Sequence, residues 1–222
     1  MSISPDSQQH GSREQVLARV RRAREGARDV TASYAGLERK YVQAGKLSEE
    51  KRLELMIERL REYDAEVVET APAGLVAAIA EQLEKSGRHT FVAPEGLLSE
   101  WLVSGFDWKI DGGLSTAEIE KVDGVVTAAF CGIADSGTIV LHHSLTEGRR
   151  VISLLPDWHL CILRASQVVE TFPEYVARCN TAPGLATYIS GPSATADIEM
   201  TRIKGVHGPR FLHVVLVRDS AL

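Results

Sequence analysis

Apolar residues at Leu53, Met56, Ile57 and Leu60 recur three and four positions apart, the spacing of one face of an amphipathic helix. Ser48 stands as its N-cap, and Glu49 and Glu50 follow where the positive helix end favours carboxylates. Upstream, Ser12 and Gln15 have capping-box spacing, and Val16, Leu17 and Val20 share a face. This predicts a first helix starting at Ser12, behind a disordered stretch over residues 1–11. Neither helix belongs to an alternating strand–helix pattern, so residues 1–63 read as a tail and helical arm.

From residue 64 the period changes. A short strand over 65–69, a helix marked by Val76, Ile79, Ala80 and Leu83 and ended by Gly87, and a strand over 90–93 stopped by Pro94 make a parallel α/β unit. A short helix over 95–103, a strand over 108–110 and a helical turn or two over 116–122 come next. Strands are then predicted over 125–133, 138–142, 151–155 and 159–163, with Asp135-Ser136-Gly137 as a hairpin-type turn. Pro173 suits the first turn of a helix running toward Cys179. Residues 211–217 are almost wholly apolar, as a strand buried on both faces should be. The predicted fold is a mixed α/β sheet with flanking helices, residues 64–222 forming one domain behind the arm.

Composition narrows the function more by exclusion than by assertion. With 222 residues, 44% hydrophobic, the chain can bury a full core. A net charge of −5 gives no reason to expect nucleic acid as a partner. The charge is uneven, since the first 63 residues hold 13 basic and 10 acidic side chains of the 25 and 30 in the chain. That leaves 12 basic and 20 acidic for the rest; a solvated helix face explains the arm, and an acidic partner is the sharper reading. The three cysteines, Cys131, Cys161 and Cys179, are in no metal-type spacing and read as small buried residues of a reducing compartment. No metal site is built from them, and His142 and His143, adjacent in a predicted strand, point to opposite faces. The polar N-terminus is not a signal peptide and the longest apolar run, near residues 75–80, is too short to span a bilayer, so a cytoplasmic location is expected.

The candidate chemistry gathers in three polar loops between apolar strands. In the stretch 186–209 a strand over 186–189 breaks at Ser190-Gly191-Pro192-Ser193, a short helix carrying Thr195, Asp197 and Glu199 is predicted next, and Gly205-Val206-His207-Gly208-Pro209 closes it. A helix start after a glycine–proline turn offers unpaired N–H groups and a positive dipole to an anion. Capping by the hydroxyls is the simpler reading; two glycine turns flanking one helix, with a histidine in the second, favour a site. The third loop is Asp135-Ser136-Gly137-Thr138. Asp135 is either a turn former or a nucleophile or base lifted above the sheet, and His207 is either hydrogen-bonded to backbone or a general acid/base. In open α/β sheets ligands gather outside the strand ends, so the loops are expected to converge there. No dinucleotide, P-loop or nucleophile-elbow motif is present.

Four ordered motifs carry a resemblance: Ala134-Asp135-Ser136-Gly137-Thr138-Ile139-Val140-Leu141; Ser153-Leu154-Leu155-Pro156; Ile189-Ser190-Gly191-Pro192-Ser193 with Asp197-Ile198-Glu199; and Gly205-Val206-His207-Gly208-Pro209. Together they resemble the LUD-domain family of lactate-utilization proteins, specifically its short LutC (YkgG-like) members. The family pattern has Glu and Thr where this chain has Asp135 and Ser136, which keeps the chemistry and shortens the carboxylate by one carbon. The resemblance implies a NagB/RpiA/CoA-transferase-like fold and a role in oxidising L-lactate to pyruvate. It also implies LutA- and LutB-like partners that are cysteine-rich and carry iron–sulfur clusters, with no cofactor in this chain.

The first expectation is therefore an accessory subunit that binds a small anion through Thr138, Ser190, Gly191 and Ser193, with His207 pairing with it or relaying a proton. Ser136, Gly137, Thr195, Asp197, Glu199, Gly205 and Gly208 complete the candidate site. Two rivals are an autonomous transferase or cyclo-ligase using Asp135, and a non-catalytic module whose basic arm docks a partner.

Overall fold

The structure is a computed structural model and describes residues 6–24, 36–38, 40–179, 184–192, 194–196, 202–204 and 208–219. It divides into two compact units, Met1–Tyr41 and Val42–Leu222. The first contains helix α1, Asp6–Arg24, whose Val16, Leu17 and Val20 are exposed. It begins at Asp6, six residues before the predicted start, because a capping-box spacing does not stop a helix when the residues before it also adopt one.

In the second unit, Ser48 caps helix α2 (Glu49–Glu62), its Oγ accepting from the Lys51 amide at 3.4 Å. Strand β1 (Glu66–Thr70) leads through helix α3 (Leu75–Ser86) to β2 (Thr90–Pro94), and Gly87, at φ +65°, ends α3 in the left-handed conformation glycine allows. Then come β3 (Asp107–Asp111), a one-turn helix α4 (Thr116–Ile119) and β4 (Gly124–Ala128). Strands β5 (Cys131–Ile133) and β6 (Thr138–Leu141) form the predicted antiparallel hairpin. The chain continues through β7 (Trp158–Arg164), β8 (Val168–Val169), helix α5 (Phe172–Arg178) and β9 (Thr187–Ile189). It then forms β10 (Ala194–Ala196), β11 (Arg202–Lys204) and β12 (Phe211–Val217).

Among the described residues, six parallel strands form one sheet in the order β1-β12-β7-β4-β2-β3, and β8-β5-β6-β9 form a second. The apolar run 211–217 is accordingly next to the middle of the large sheet, between β1 and β7. Three predictions need correction. The single strand over 125–133 is two strands in different sheets, because the chain turns out of the large sheet at Ala129 and Phe130, where the Phe130 amide bonds Val140. Residues 150–153 form a 3₁₀ turn rather than a strand; Val151, Ile152 and Leu155 pack beside Ile119, Val122 and Val125 with turn-like spacing. The helix predicted over 95–103 is reduced to a 3₁₀ turn at Ser99–Trp101.

Helix α2 lies in the core and not in an arm. Leu53, Met56, Ile57 and Leu60 pack with Leu212, Val214 and Leu216 of β12, Cys161 and Leu163 of β7, and Ile139 and Leu141 of β6. The helix thus joins the two sheets, and it belongs to the compact unit rather than to the segment 1–63 with which its pattern grouped it. The opposite face of the large sheet is covered by Leu75, Ile79 and Leu83 of α3 with Phe91, Trp158 and Leu160. The β5–β6 turn is pressed against α2: a Cβ on Gly137 would lie 2.7 Å from that of Arg59, and Gly137 is at φ +59°. Truncating Leu60 to alanine removes buried contacts from both sheets at once and is expected to cost about 2–5 kcal/mol. Urea unfolding of the purified variant measures it, and a loss below about 1 kcal/mol would show that α2 is not part of the core.

Candidate functional site

Between the small sheet and the amino ends of β7 and β12 lies a cleft of about 250 Å³. Its walls bring together the two glycine–proline turns that the sequence singled out, Ser190-Gly191-Pro192 from one side and Gly208-Pro209 from the other. The first turn is held by α2. Gly191 is at φ +82°, and a Cβ there would fall 2.4 Å from that of Tyr63, the residue that ends the helix, so only glycine fits. The second is held from outside the cleft by Asp157, which pairs with Arg210 and with Arg88 and whose carbonyl accepts the Phe211 amide. The Arg210 guanidinium foremost, then that of Arg88, keeps the Asp157 carboxyl below the usual range.

A line of hydroxyls runs into the cleft from the hairpin turn. Ser136 Oγ is 2.9 Å from Thr138 Oγ1, which is 2.7 Å from Ser190 Oγ. Ser190 lines the cleft, and the buried Thr138 stands behind it. The positive charge comes from Arg150, in the 3₁₀ turn, which is exposed at the cleft and donates from Nη1 to Thr187 Oγ1 at 2.6 Å. Among the described residues no carboxylate lies within ion-pair distance of Arg150. His159, the second residue of β7, lines the cleft floor and is 1% exposed. Its Nε2 is 2.8 Å from Thr127 Oγ1, and burial pushes its pKa down to about 4, so it is neutral at physiological pH.

A smaller cleft of about 150 Å³ opens at the carboxyl ends of β2 and β3, beside Pro94, Asp111 and His143. There Arg149 clamps Asp111 through two hydrogen bonds, one of them Nε to Oδ2 at 2.9 Å, and the Gly113 and Leu114 amides also donate to Asp111. The Arg149 guanidinium first, and then those amides, hold the Asp111 carboxyl below its ordinary value. The two glycine–proline turns thus meet at strand ends, and these are the amino ends of β7 and β12, where the small sheet leans over the large one.

The predicted site residues divide into four groups. Ser136, Thr138, Ser190, Gly191 and Gly208 are brought together at or behind the cleft. Asp135 and Gly137 sit in the hairpin turn against α2, away from the cleft, with the Asp135 amide bonded to the Glu170 carbonyl at 3.0 Å. Ser193, Asp197, Glu199, Gly205 and His207 lie outside the described residues. Thr195 is in β10, which pairs antiparallel with β11, so the predicted helix is replaced at 194–196 by a two-stranded ladder. Cross-strand partners satisfy backbone groups that a helix start would have left for an anion, and Arg150 takes over as the source of positive charge. Arg150, Ser153, Thr187 and His159 were not anticipated as site residues; the one local signal was a basic pair, Arg149-Arg150, between the turn residues Thr146-Glu147-Gly148 and the apolar Val151-Ile152.

The family model of the LUD domain matches residues 53–217, from α2 to the end of β12. The chain belongs to the LUD-domain family. It is 39% identical over 164 residues to a lactate utilization protein C of Deinococcus radiodurans, covering 72% of this chain and 76% of that one. It is 31% identical over 176 residues to the lactate utilization protein C of Bacillus subtilis, covering 69% and 73%. The crystal structure of a DUF162 family protein from Deinococcus radiodurans superposes with a TM-score of 0.66 at 33% identity, covering 78% of this chain and 99% of that one. The match thus takes in the apolar stripe of α2, from Leu53 on, and every element that builds the cleft.

The buried His159 has a measurable signature. Its pKa is about 4 in the folded protein and about 6.5 when unfolded, so the unfolded chain takes up the proton first as pH falls. Stability is fully present above pH 6.5 and declines toward pH 4, by about 3 kcal/mol from this group. In His159→Gln, urea unfolding across that window should show a flatter decline than wild type; parallel curves would contradict the buried neutral imidazole.

Proposed function

We propose that this LUD-domain protein is an accessory, substrate-handling subunit in the oxidation of L-lactate to pyruvate, and that it holds a small anion in the larger cleft. The observation that carries the reading is Arg150: an exposed guanidinium at a cleft edged by the hydroxyls of Ser153, Thr187 and Ser190, with no carboxylate beside it among the described residues. Such a group takes a carboxylate or phosphate in paired hydrogen bonds. The relatives' common name, lactate utilization protein C, supports the pathway.

The redox centres belong, on this reading, to cysteine-rich and iron–sulfur partner chains. Thiolates bind metal, and burial opposes them here: it pushes the Cys131 thiol up to about 11 and the Cys161 thiol up to about 12. The rival reading of a transferase or cyclo-ligase gains nothing from the cleft, since Asp135, its nucleophile, is not among the residues that line it.

A deletion strain should lose growth on L-lactate as sole carbon source and regain it with the wild-type gene. Arg150→Gln should restore it poorly, because losing a charged hydrogen-bond partner weakens anion binding by about tenfold to a hundredfold. Unimpaired growth of the deletion strain would overturn the proposal.

A further inference from the structure

His143 links the two clefts by a chain of hydrogen bonds whose two ends have a fixed direction. Its Nδ1 is 2.8 Å from the Gly148 carbonyl oxygen, which can only accept, so Nδ1 carries the proton. Its Nε2 is 2.7 Å from Thr187 Oγ1. That oxygen also lies 2.6 Å from Arg150 Nη1, which can only donate; with the ring in its Nδ1–H form, Nε2 is an acceptor and the Thr187 proton points at it. His143 lies just past β6 at φ +56°, a left-handed backbone that non-glycine residues seldom adopt and that asparagine takes more easily than histidine. Retaining an imidazole in that conformation places one ring between Gly148 and Thr187. The smaller cleft, which His143 also lines, is thereby connected to the edge of the larger one.

We propose that His143 is a positioning residue for the anion site: in its Nδ1–H form it turns the Thr187 oxygen toward Arg150 and holds the guanidinium at the cleft edge. It makes no contact with the bound anion itself. The inference rests on the reading that Arg150 receives that anion. Long arginine side chains are free to swing, and a fixed neutral acceptor beside the guanidinium restricts this without cancelling its charge, as a carboxylate would.

Two substitutions separate positioning from mere structure. In His143→Asn the backbone conformation is easier and an N–H remains for Gly148, but the side chain is too short to accept from Thr187. In His143→Gln the amide oxygen reaches the place of Nε2 and can accept from Thr187, at the cost of backbone strain. If His143 serves only the fold, Asn matches or exceeds Gln in every property. Positioning predicts the opposite for binding: calorimetric Kd for L-lactate rises about tenfold in Asn and clearly less in Gln, although Asn melts no lower. Equal weakening in both variants would overturn the inference.

A readout without ligand keeps the two proposals apart. Wild-type protein with no affinity for L-lactate or inorganic phosphate would remove the anion reading alone. The ¹⁵N shifts of the His143 imidazole, with the rate at which phenylglyoxal modifies Arg150 followed by peptide mapping, then decide the role of His143. An Nδ1–H ring and faster modification in Asn than in Gln support it; an Nε2–H ring or equal rates overturn it.

Discussion

The structure depends on the apolar stripe of one helix. Leu53, Met56, Ile57 and Leu60 of α2 fill the space between the six-stranded parallel sheet and the small sheet, and each is essentially excluded from solvent. Burial of such side chains contributes about 1.5–3 kcal/mol apiece, so the stripe is among the larger stabilising terms in the domain. Its consequences extend beyond stability. The last turn of α2 presents Arg59 and Leu60 to the hairpin glycine Gly137, and Tyr63 to Gly191 in the turn that lines the cleft. One helix therefore sets both the spacing of the sheets and the backbone of the candidate site.

The cleft follows from that spacing. Where the small sheet leans over the amino ends of β7 and β12, side chains of both sheets line one space, and its electrostatics are decided by burial. Desolvation neutralises His159 at the floor, while Arg150, in the 3₁₀ turn at the edge, keeps its charge. A neutral floor under the exposed Arg150 guanidinium, with hydroxyls on the adjacent strand, is an arrangement suited to an anion approaching from solvent. The Asp111–Arg149 pair at the smaller cleft is the opposite case: its cation is committed to a buried carboxylate and has a structural part.

Much of the fold was legible in the residues because its signals were local. The i, i+3, i+4, i+7 spacing in α2, the glycine at the end of α3, the Asp135-Ser136-Gly137 hairpin and the apolar run of β12 each announce an element without help from elsewhere. The glycine–proline turns at 190–192 and 208–209, which line the larger cleft, were legible as turns for the same reason. What was not legible depends on tertiary packing. Val151, Ile152 and Leu155 read as a strand, which hid the 3₁₀ turn that brings Arg150 to Thr187. The stretch after Pro192 read as a helix start because glycine, proline and serine precede it, yet 194–196 pair with 202–204 as strands. Nothing local in α2 reveals that it joins two sheets, so its sequence grouped it with the arm, and the place of the larger cleft at the amino ends of β7 and β12 could not be foreseen.

The central claim is that the larger cleft binds a small anion through Arg150. Thermal unfolding of the purified protein with L-lactate, pyruvate, inorganic phosphate and nucleotides tests it most directly. A ligand that binds only the native state adds about 2.7 kcal/mol at a hundredfold excess over Kd, a readily visible rise in Tm. The account predicts such a rise with a small anion in the wild type and its loss in Arg150→Gln, whose unliganded Tm is unchanged. A flat response across the panel, or a rise of the same size in the variant, would contradict it.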